Sequence, residues 1–301
     1  MPGDPASCGL TPRPLKDRVR DFWNRHVCGS GYGTPGHSDA ATVEIDFDRL
    51  TETRYQLEPY IRDLADFPSG QGKRVLEIGV GAGTDFESWL THGARPTGID
   101  LTPAAVDLTR RRLLQRGFAA DAYTLQVGDA ENLTFPDGSF DIVYSYGVLH
   151  HTPDTPRALQ EVFRVLAPGG TLRAMVYHVP SVASLLLWLR YCLLRGRPFI
   201  TPRQAVFEHL ESPGTKAYTT AEMRRMLHEV GFVDAIVWPK LSFGDLLLQK
   251  RSKKYASRLY AAIWRLYPRW LIRCLGNRYG NALMIIAKKP SAGAPSIGER
   301  N

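Results

Sequence analysis

Between residues 73 and 176 the chain repeats one alternation: a short β-branched or apolar run, then a segment whose apolar residues fall at helical spacing. Runs at 73–78, 95–99, 123–127, 140–145 and 172–176 have the length and composition of strands, and 84–92, 103–116 and 157–166 those of helices. Thr102 is placed to cap a helix with Pro103 in its first turn. Pro168-Gly169-Gly170 stops the helix that carries Leu159, Val162, Phe163 and Leu166 on one face. Further along, Thr220 is expected to cap a helix closed by Gly231, and 233–237 and 283–287 read as two more strands. Strands that alternate with helices are joined by right-handed crossovers, which place helices on both faces of a sheet. The expected fold is therefore α/β, a doubly wound, mostly parallel seven-stranded sheet. Such a sheet binds its ligand beyond the carboxyl ends of its strands.

The first of those ends is the most informative. Val75-Leu76-Glu77-Ile78 runs into Gly79, Gly81 and Gly83, where a missing Cβ permits a tight turn or the close approach of a ligand. Asp100 closes the next strand, 21 residues after Gly79, where a carboxylate can accept both hydroxyls of a ribose. Gly128-Asp129-Ala130 follows the third strand and offers a carboxylate to an adenine amino group. Gly-Asp is also ordinary turn chemistry, and Glu77 can equally serve a helix cap or a structural water, so these positions carry both readings. A dinucleotide site is the first rival. Against it, the glycines follow E-x-G-x-G-x-G rather than G-x-G-x-x-G, and Asp85 and Glu87 at the helix start suit an anionic diphosphate poorly.

The segments VLEIGVGAGTD (75–85), GIDLTPAAVDLTRRRL (98–113), VGDAENLTFPDGSFDIVYSYGVLHHTPD (127–154) and EVFRVLAPGGTL (161–172) resemble the class I S-adenosylmethionine-dependent methyltransferases. The likeness is greatest to the branch with ubiquinone/menaquinone- and sterol-type enzymes, and it covers about a hundred residues in that family's order. It implies a Rossmann-like sheet and S-adenosyl-L-methionine as cofactor, and says little about the acceptor. By that resemblance Glu77 helps to position the amino-acid end of the cofactor, and Gly79, Gly81 and Gly83 line the loop beneath its methionine and ribose. Asp100 holds the ribose diol with Leu101 against the adenine, Asp129 and Ala130 meet the adenine amino edge, and Tyr146 stands near the methyl group.

Three segments stand outside the core rhythm: 1–70, about 178–219 and about 239–280. The expected organisation is an N-terminal extension and cap at 1–70, a cofactor-binding domain at 71–290 carrying the two insertions, and a flexible tail at 291–301. On the family's strand order the insertions follow the fifth and sixth strands, so helical caps would build the acceptor pocket over the methyl group. Residues 181–194 (SVASLLLWLRYCLL) are too apolar all round for a solvent-facing helix; a lid, a dimer interface and ordinary core remain open. The net charge of +8 is local: residues 246–289 hold eleven Lys or Arg and no acid, and taking these from the total leaves −3 elsewhere. Within 249–278 the bases interleave with Tyr255, Tyr260, Trp264, Tyr267 and Trp270, as in a basic amphipathic helix at an anionic membrane surface. A phosphate-bearing substrate, nucleic acid and a plain solvated face are its rivals; no RNA-binding module is visible, so no nucleic-acid partner is expected.

Cys8, Cys28, Cys192 and Cys274 show no C-x-x-C spacing, and no metal-ligand cluster stands out, so polar methyl transfer without a metal is expected. The opening residues lack a signal-peptide pattern, and the apolar run at 179–194 falls short of the roughly 20 residues of a spanning helix. The expectation is a cytoplasmic protein, with peripheral contact on the inner face of the membrane as its extension. The expected function is methyl transfer to O or C of a small hydrophobic or lipid-like acceptor such as a quinone, isoprenoid, polyketide or fatty-acyl compound. An NAD(P)-dependent oxidoreductase and a non-catalytic cofactor-binding membrane-surface protein are the alternatives. For the general base, His150-His151 after the fourth strand and Tyr177-His178 after the fifth supply the candidates His151 and His178. Trp23, His26, Tyr32, His37, His209 and Tyr218 are further pocket candidates.

Overall fold

Seven strands, β1 (Arg74–Ile78), β2 (Arg95–Asp100), β3 (Thr124–Val127), β4 (Phe140–Tyr146), β5 (Leu166–Tyr177), β6 (Val233–Lys240) and β7 (Ala282–Lys288), form one sheet in the order β3-β2-β1-β4-β5-β7-β6. This is a computed structural model, and it describes residues 13–30, 45–248 and 258–292. The proline-rich start and nearly all of the expected flexible tail lie outside those residues. The first five strands pair in parallel, and β7 runs antiparallel between β5 and β6. Chain order reverses at β1, with β2 on one side and β4 on the other, which opens a crevice at their carboxyl ends.

Alternation along the strands divides the core. Leu76, Ile78 and Val143 face one cluster with Leu159 and Val162 of α6 (Thr155–Val165) and Met223 and Leu227 of α9 (Thr220–Val230). Val75, Ile142 and Tyr144 face the other, with Trp89 of α4 (Thr84–Thr91), Ile61 of α3 (Tyr60–Ala65) and Phe67. Fully burying each Leu, Ile or Val side chain contributes about 1.5–3 kcal/mol, so a sheet covered on both faces is the arrangement this pattern rewards.

The helix ends follow side-chain chemistry. Thr102 caps α5 (Pro103–Gln115), accepting from Ala105 N at 3.4 Å. Asp154 caps α6 by accepting from Arg157 N at 3.0 Å, so that helix starts before the apolar period shows it. The cap of α9 is Thr219 rather than Thr220: its hydroxyl accepts from Glu222 N at 3.1 Å while the Glu222 carboxylate accepts from Thr219 N at 2.8 Å, a reciprocal box.

The N-terminal segment holds α1 (Leu15–Arg25) and α2 (Phe47–Leu57) besides α3, and the first insertion holds α7 (Val182–Tyr191) and α8 (Pro202–His209). In the second insertion, Pro268 separates α10 (Arg258–Leu266) from α11 (Arg269–Cys274). Among the described residues no helix is long and apolar enough to cross a membrane.

Candidate active site

The crevice at the switch between β1 and β4 is a cleft enclosing about 1110 Å³ of non-atom space, part of it open to solvent. Its floor is the turn after β1, its sides are the ends of β2 and β4, and α1 with Cys28 and Gly29 lies against it.

The turn is shaped by packing before any ligand arrives. Gly79 has φ +86°, and a Cβ there would lie 2.1 Å from Val148 Cγ2, just beyond β4. Gly79 and Gly81 line the cleft, whereas Gly83 does not: it precedes α4 in a left-handed conformation and sits against Thr109 of α5.

Asp100, at the end of β2, is held from both sides. Oδ1 accepts from Thr102 N at 2.9 Å and Thr102 Oγ1 at 2.8 Å, and Oδ2 accepts from Gly81 N at 3.2 Å. Burial pushes its carboxyl above the usual range while these donors pull it back. The carboxylate is oriented toward the cleft with lone pairs to spare for a diol.

Glu77 faces the same space from β1, 3% exposed, and its Oε2 has no hydrogen-bond partner. Burial first, then the neighbouring Asp85, drive its carboxyl well above the usual range, with Arg54 of α2 opposing them. An orphaned carboxylate oxygen in a cleft wall is costly unless a ligand completes it, and an ammonium does so. A cofactor with an α-amino group and a ribose therefore fits Glu77 and Asp100.

Arg54 also lines the cleft. Its Nη2 lies 2.6 Å from Asp85 Oδ2, and its guanidinium sits 5.2 Å from the centre of the Tyr146 ring. Asp85 further accepts from the Tyr55 hydroxyl at 3.1 Å and the Tyr144 hydroxyl at 2.8 Å. The acid that argued against a diphosphate anchors α2 to the sheet. Tyr146 lines the cleft and donates its hydroxyl to Glu58 Oε1 at 2.8 Å.

Leu101, Asp129 and Ala130 form the far end. Asp129 Oδ2 is taken by Lys16 Nζ of α1 at 2.6 Å, and Oδ1 accepts from Glu131 N at 2.9 Å. Lys16 pairs with Glu131 as well. An adenine amino group would share Asp129 with this lysine.

Beyond Tyr146 the cleft reaches His151, whose ring meets Trp23 edge-on at 5.1 Å. Its Nδ1 lies 2.9 Å from Ser212 Oγ and 3.1 Å from Thr215 Oγ1, and its Nε2 lies 3.4 Å from Glu211 Oε2. Thr215 donates its own proton to Ser212 O at 2.7 Å, so its oxygen can only accept. Ser212 Oγ can donate to Nδ1 or accept from it, so the hydroxyl pair accommodates either tautomer of the ring. His150 is fully buried with neither nitrogen bonded, its ring centre 4.1 Å from those of His151 and Tyr177 and tilted against both. Burial, helped by His151 and Lys216, holds its pKa well below the ordinary value. Ligating atoms of His150, His151 and Glu211 lie within 4.8 Å of one another, a cluster of metal-ligand types that linear spacing conceals. In it, Nδ1 of His151 is engaged by the two hydroxyls, while Nε2 has no hydrogen-bond partner and lies 3.4 Å from Glu211.

The structure does not bring His178 to the cleft. It is buried at the end of β5, its Nδ1 2.9 Å from Gly280 O and its backbone bridged to Tyr218, so it ties the two insertions together. His26 is exposed with Nδ1 against Phe22 O, and His209 stacks on Tyr191 at 4.1 Å. Tyr32 and His37 lie outside the described residues. Linear reading missed Lys16, Arg54, Glu58 and Glu211. The only local trace is the i, i+4 pair Arg54–Glu58, 3.8 Å apart; Glu211 at φ +55° is a signal only the backbone shows.

A family model described as a methyltransferase domain matches residues 76–174. A demethylmenaquinone methyltransferase of Tropheryma whipplei (strain Twist) is 33% identical over 182 residues, covering 60% of this chain and 74% of that protein. A phthiotriol/phenolphthiotriol dimycocerosates methyltransferase of Mycobacterium leprae (strain TN) is 43% identical over 103 residues, or 34% of this chain and 36% of that one. Among solved structures, Haemonchus contortus phosphoethanolamine N-methyltransferase 2 in complex with S-adenosyl-L-methionine superposes with a TM-score of 0.57 at 19% identity, covering 91% of this chain and 60% of that one. That likeness is one of fold.

Proposed function

Because this chain belongs to the family of S-adenosylmethionine-dependent methyltransferases, we propose that it methylates an oxygen or carbon of a small, hydrophobic, lipid-like acceptor held against His151. The carrying observation is continuity: one cleft runs from Asp100 and Glu77 past Tyr146 to His151. The bound cofactor supplies an electrophilic methyl on a sulfonium; as the carbon–sulfur bond breaks, the acceptor gains the methyl and gives up a proton. Asp100, Glu77 and Arg54 hold and orient one partner, which is where most of the rate enhancement of such a displacement arises. In the tautomer that carries its proton on Nδ1, His151 Nε2 takes the acceptor proton, and Glu211 stabilises the imidazolium that forms. The hydrophobic acceptor rests on the relatives that methylate demethylmenaquinone and phthiotriol dimycocerosates, and on Trp23 beside His151. The basic aromatic stretch at 249–278, described here from α10 onward, meets an anionic membrane surface from which such an acceptor would come.

The test is turnover with a panel running from prenylated quinols and long-chain phenols to short water-soluble phenols, read as S-adenosylhomocysteine released. Turnover confined to the long-chain members is expected; turnover confined to the soluble ones overturns the acceptor class. His151→Gln is expected to lower kcat by about 10²–10⁴-fold with cofactor affinity unchanged. A wild-type kcat would remove His151 from the chemistry.

A further inference from the structure

Two apolar strips stand outside the core and share one anchor. Along α7 and the turn after it, Leu185, Leu189, Leu193 and Leu194 are exposed, and Phe199 is 97% exposed. Along α10 and α11 the exposed residues are Ile263, Leu266, Trp270, Leu271 and Leu275, with Leu266 at 74% and Trp270 at 70%. The anchor is the buried Asp245. Its carboxylate accepts from Ala183 N in the first turn of α7 at 3.0 Å, from Ser242 N at 2.8 Å and from Asn281 N at 2.7 Å. Its carbonyl accepts from the Tyr267 hydroxyl at 2.8 Å, and Arg269 Nε donates to the next carbonyl, Leu246 O, at 3.0 Å. The start of α7 and the turn leading into α11 therefore meet at one point. Asn281 leads directly into β7, whose Ala282 pairs with Tyr177, so that point lies at the sheet end that carries the His150–His151–Tyr177 cluster.

The two stretches that carry the strips hold charge of one sign. Residues 182–200 contain Arg190, Arg195 and Arg197, residues 258–278 contain five arginines, and neither stretch contains Asp or Glu. Exposed apolar tips among arginines, with a tryptophan between, suit a surface that is anionic outside and hydrocarbon within. A second copy of this face would set arginine against arginine, and nucleic acid has no interior to receive Leu194 and Phe199. We propose that α7 with residues 193–199 and α10 with α11 form a single platform seated in an anionic lipid bilayer, so that the acceptor enters the cleft from the lipid phase. This rests on the hydrophobic-acceptor reading above and adds an insertion element, 193–199, outside the basic stretch.

The test is flotation of the full chain with vesicles of phosphatidylcholine alone or mixed with phosphatidylglycerol, at low salt. Binding to the mixed vesicles only is expected. Leu194→Ser with Phe199→Ser, and separately Arg265→Glu with Arg273→Glu, should each lower partitioning on the order of tenfold or more. S-adenosylmethionine affinity by calorimetry should be unchanged in both, which shows that the variants fold. No flotation, or flotation untouched by the Leu194/Phe199 pair, overturns the proposal. So does RNA binding or self-association that the same substitutions abolish. Vesicle binding without S-adenosylmethionine binding would sink the methyl-transfer reading alone.

Discussion

The two halves of the cleft are built in opposite ways. The cofactor half comes from successive strand ends, with Glu77, Gly79 and Gly81 on one turn and Asp100 and Asp129 on the next two. The other end has Trp23 from α1 and His151 after β4, and His151 is backed by Tyr177 at the end of β5 and by Glu211, Ser212 and Thr215 from an insertion. Backbone geometry and bonds between successive strand ends shape the first, with Lys16 reaching Asp129 from 113 residues away; the second depends throughout on contacts between residues far apart in sequence. An insertion can therefore be rebuilt for another acceptor without moving Asp100, which is how one fold carries many substrates.

Substitutions on each side sharpen or break this contrast. The largest effect is expected for Gly79→Ala. A left-handed φ of +86° and a Cβ 2.1 Å from Val148 should cost on the order of 3 kcal/mol or more in a urea melt and abolish cofactor binding. Wild-type stability would show that the turn is not held by packing. Asp100→Asn should weaken S-adenosylmethionine binding on the order of tenfold to a hundredfold in calorimetry. The fold should survive it, since Thr102 N and Oγ1 can still donate to the amide oxygen and only the 3.2 Å bond from Gly81 N loses its acceptor.

Glu77 gives a signed pH effect. Buried and unpartnered, its carboxyl keeps its proton above the ordinary range; pairing with an ammonium lowers its pKa, so binding releases a proton. Cofactor affinity should then rise with pH, by up to about tenfold per unit, until the free protein's Glu77 is ionised. Calorimetry in buffers of different ionisation enthalpy measures that proton, and Glu77→Gln should abolish its release. Unchanged proton release in that variant would assign the proton elsewhere.

The smallest effect belongs to His150. Its folded pKa lies well below the ordinary value, so the unfolded chain takes up a proton that the folded one refuses. Its contribution is intact above about pH 6.5 and is lost as pH falls below that, by at most about 1.4 kcal/mol per unit. His150→Phe, which keeps a ring against His151 and Tyr177, should flatten denaturation midpoints compared at pH 7.5 and 5.5. An equal acid loss in the variant would put the sensitivity on another group.

Much of the fold was legible because its signals are local. The alternation that defined β1 to β5 needs only neighbours in sequence, and Thr102 and Gly231 punctuate helices by their own side-chain chemistry. Where the reading slipped by a residue, as at Thr219, the deciding bond was to Glu222, three residues on. The N-terminal segment reads only as a cap in the sequence, although Leu15, Val19, Phe22 and Trp23 of α1 fall at helical spacing; that period shows a helix but not what it packs against. The consequences of this segment for the cleft, Lys16 on Asp129 and Arg54 on Asp85, span 113 and 31 residues. His151 and His178 looked equivalent in the sequence, each at a strand end beside another aromatic; burial against Gly280 is what removed His178 from the cleft.

What the sequence determined alone is the α/β order, the glycine turn and the carboxylates at 77 and 100, because each depends on φ/ψ preference and strand period within a few residues. Only the tertiary structure decided that Lys16 occupies Asp129, that Glu211 faces His151, and that two apolar strips hang from Asp245. Those depend on where distant segments come to rest once the sheet is covered, and no local rule encodes that.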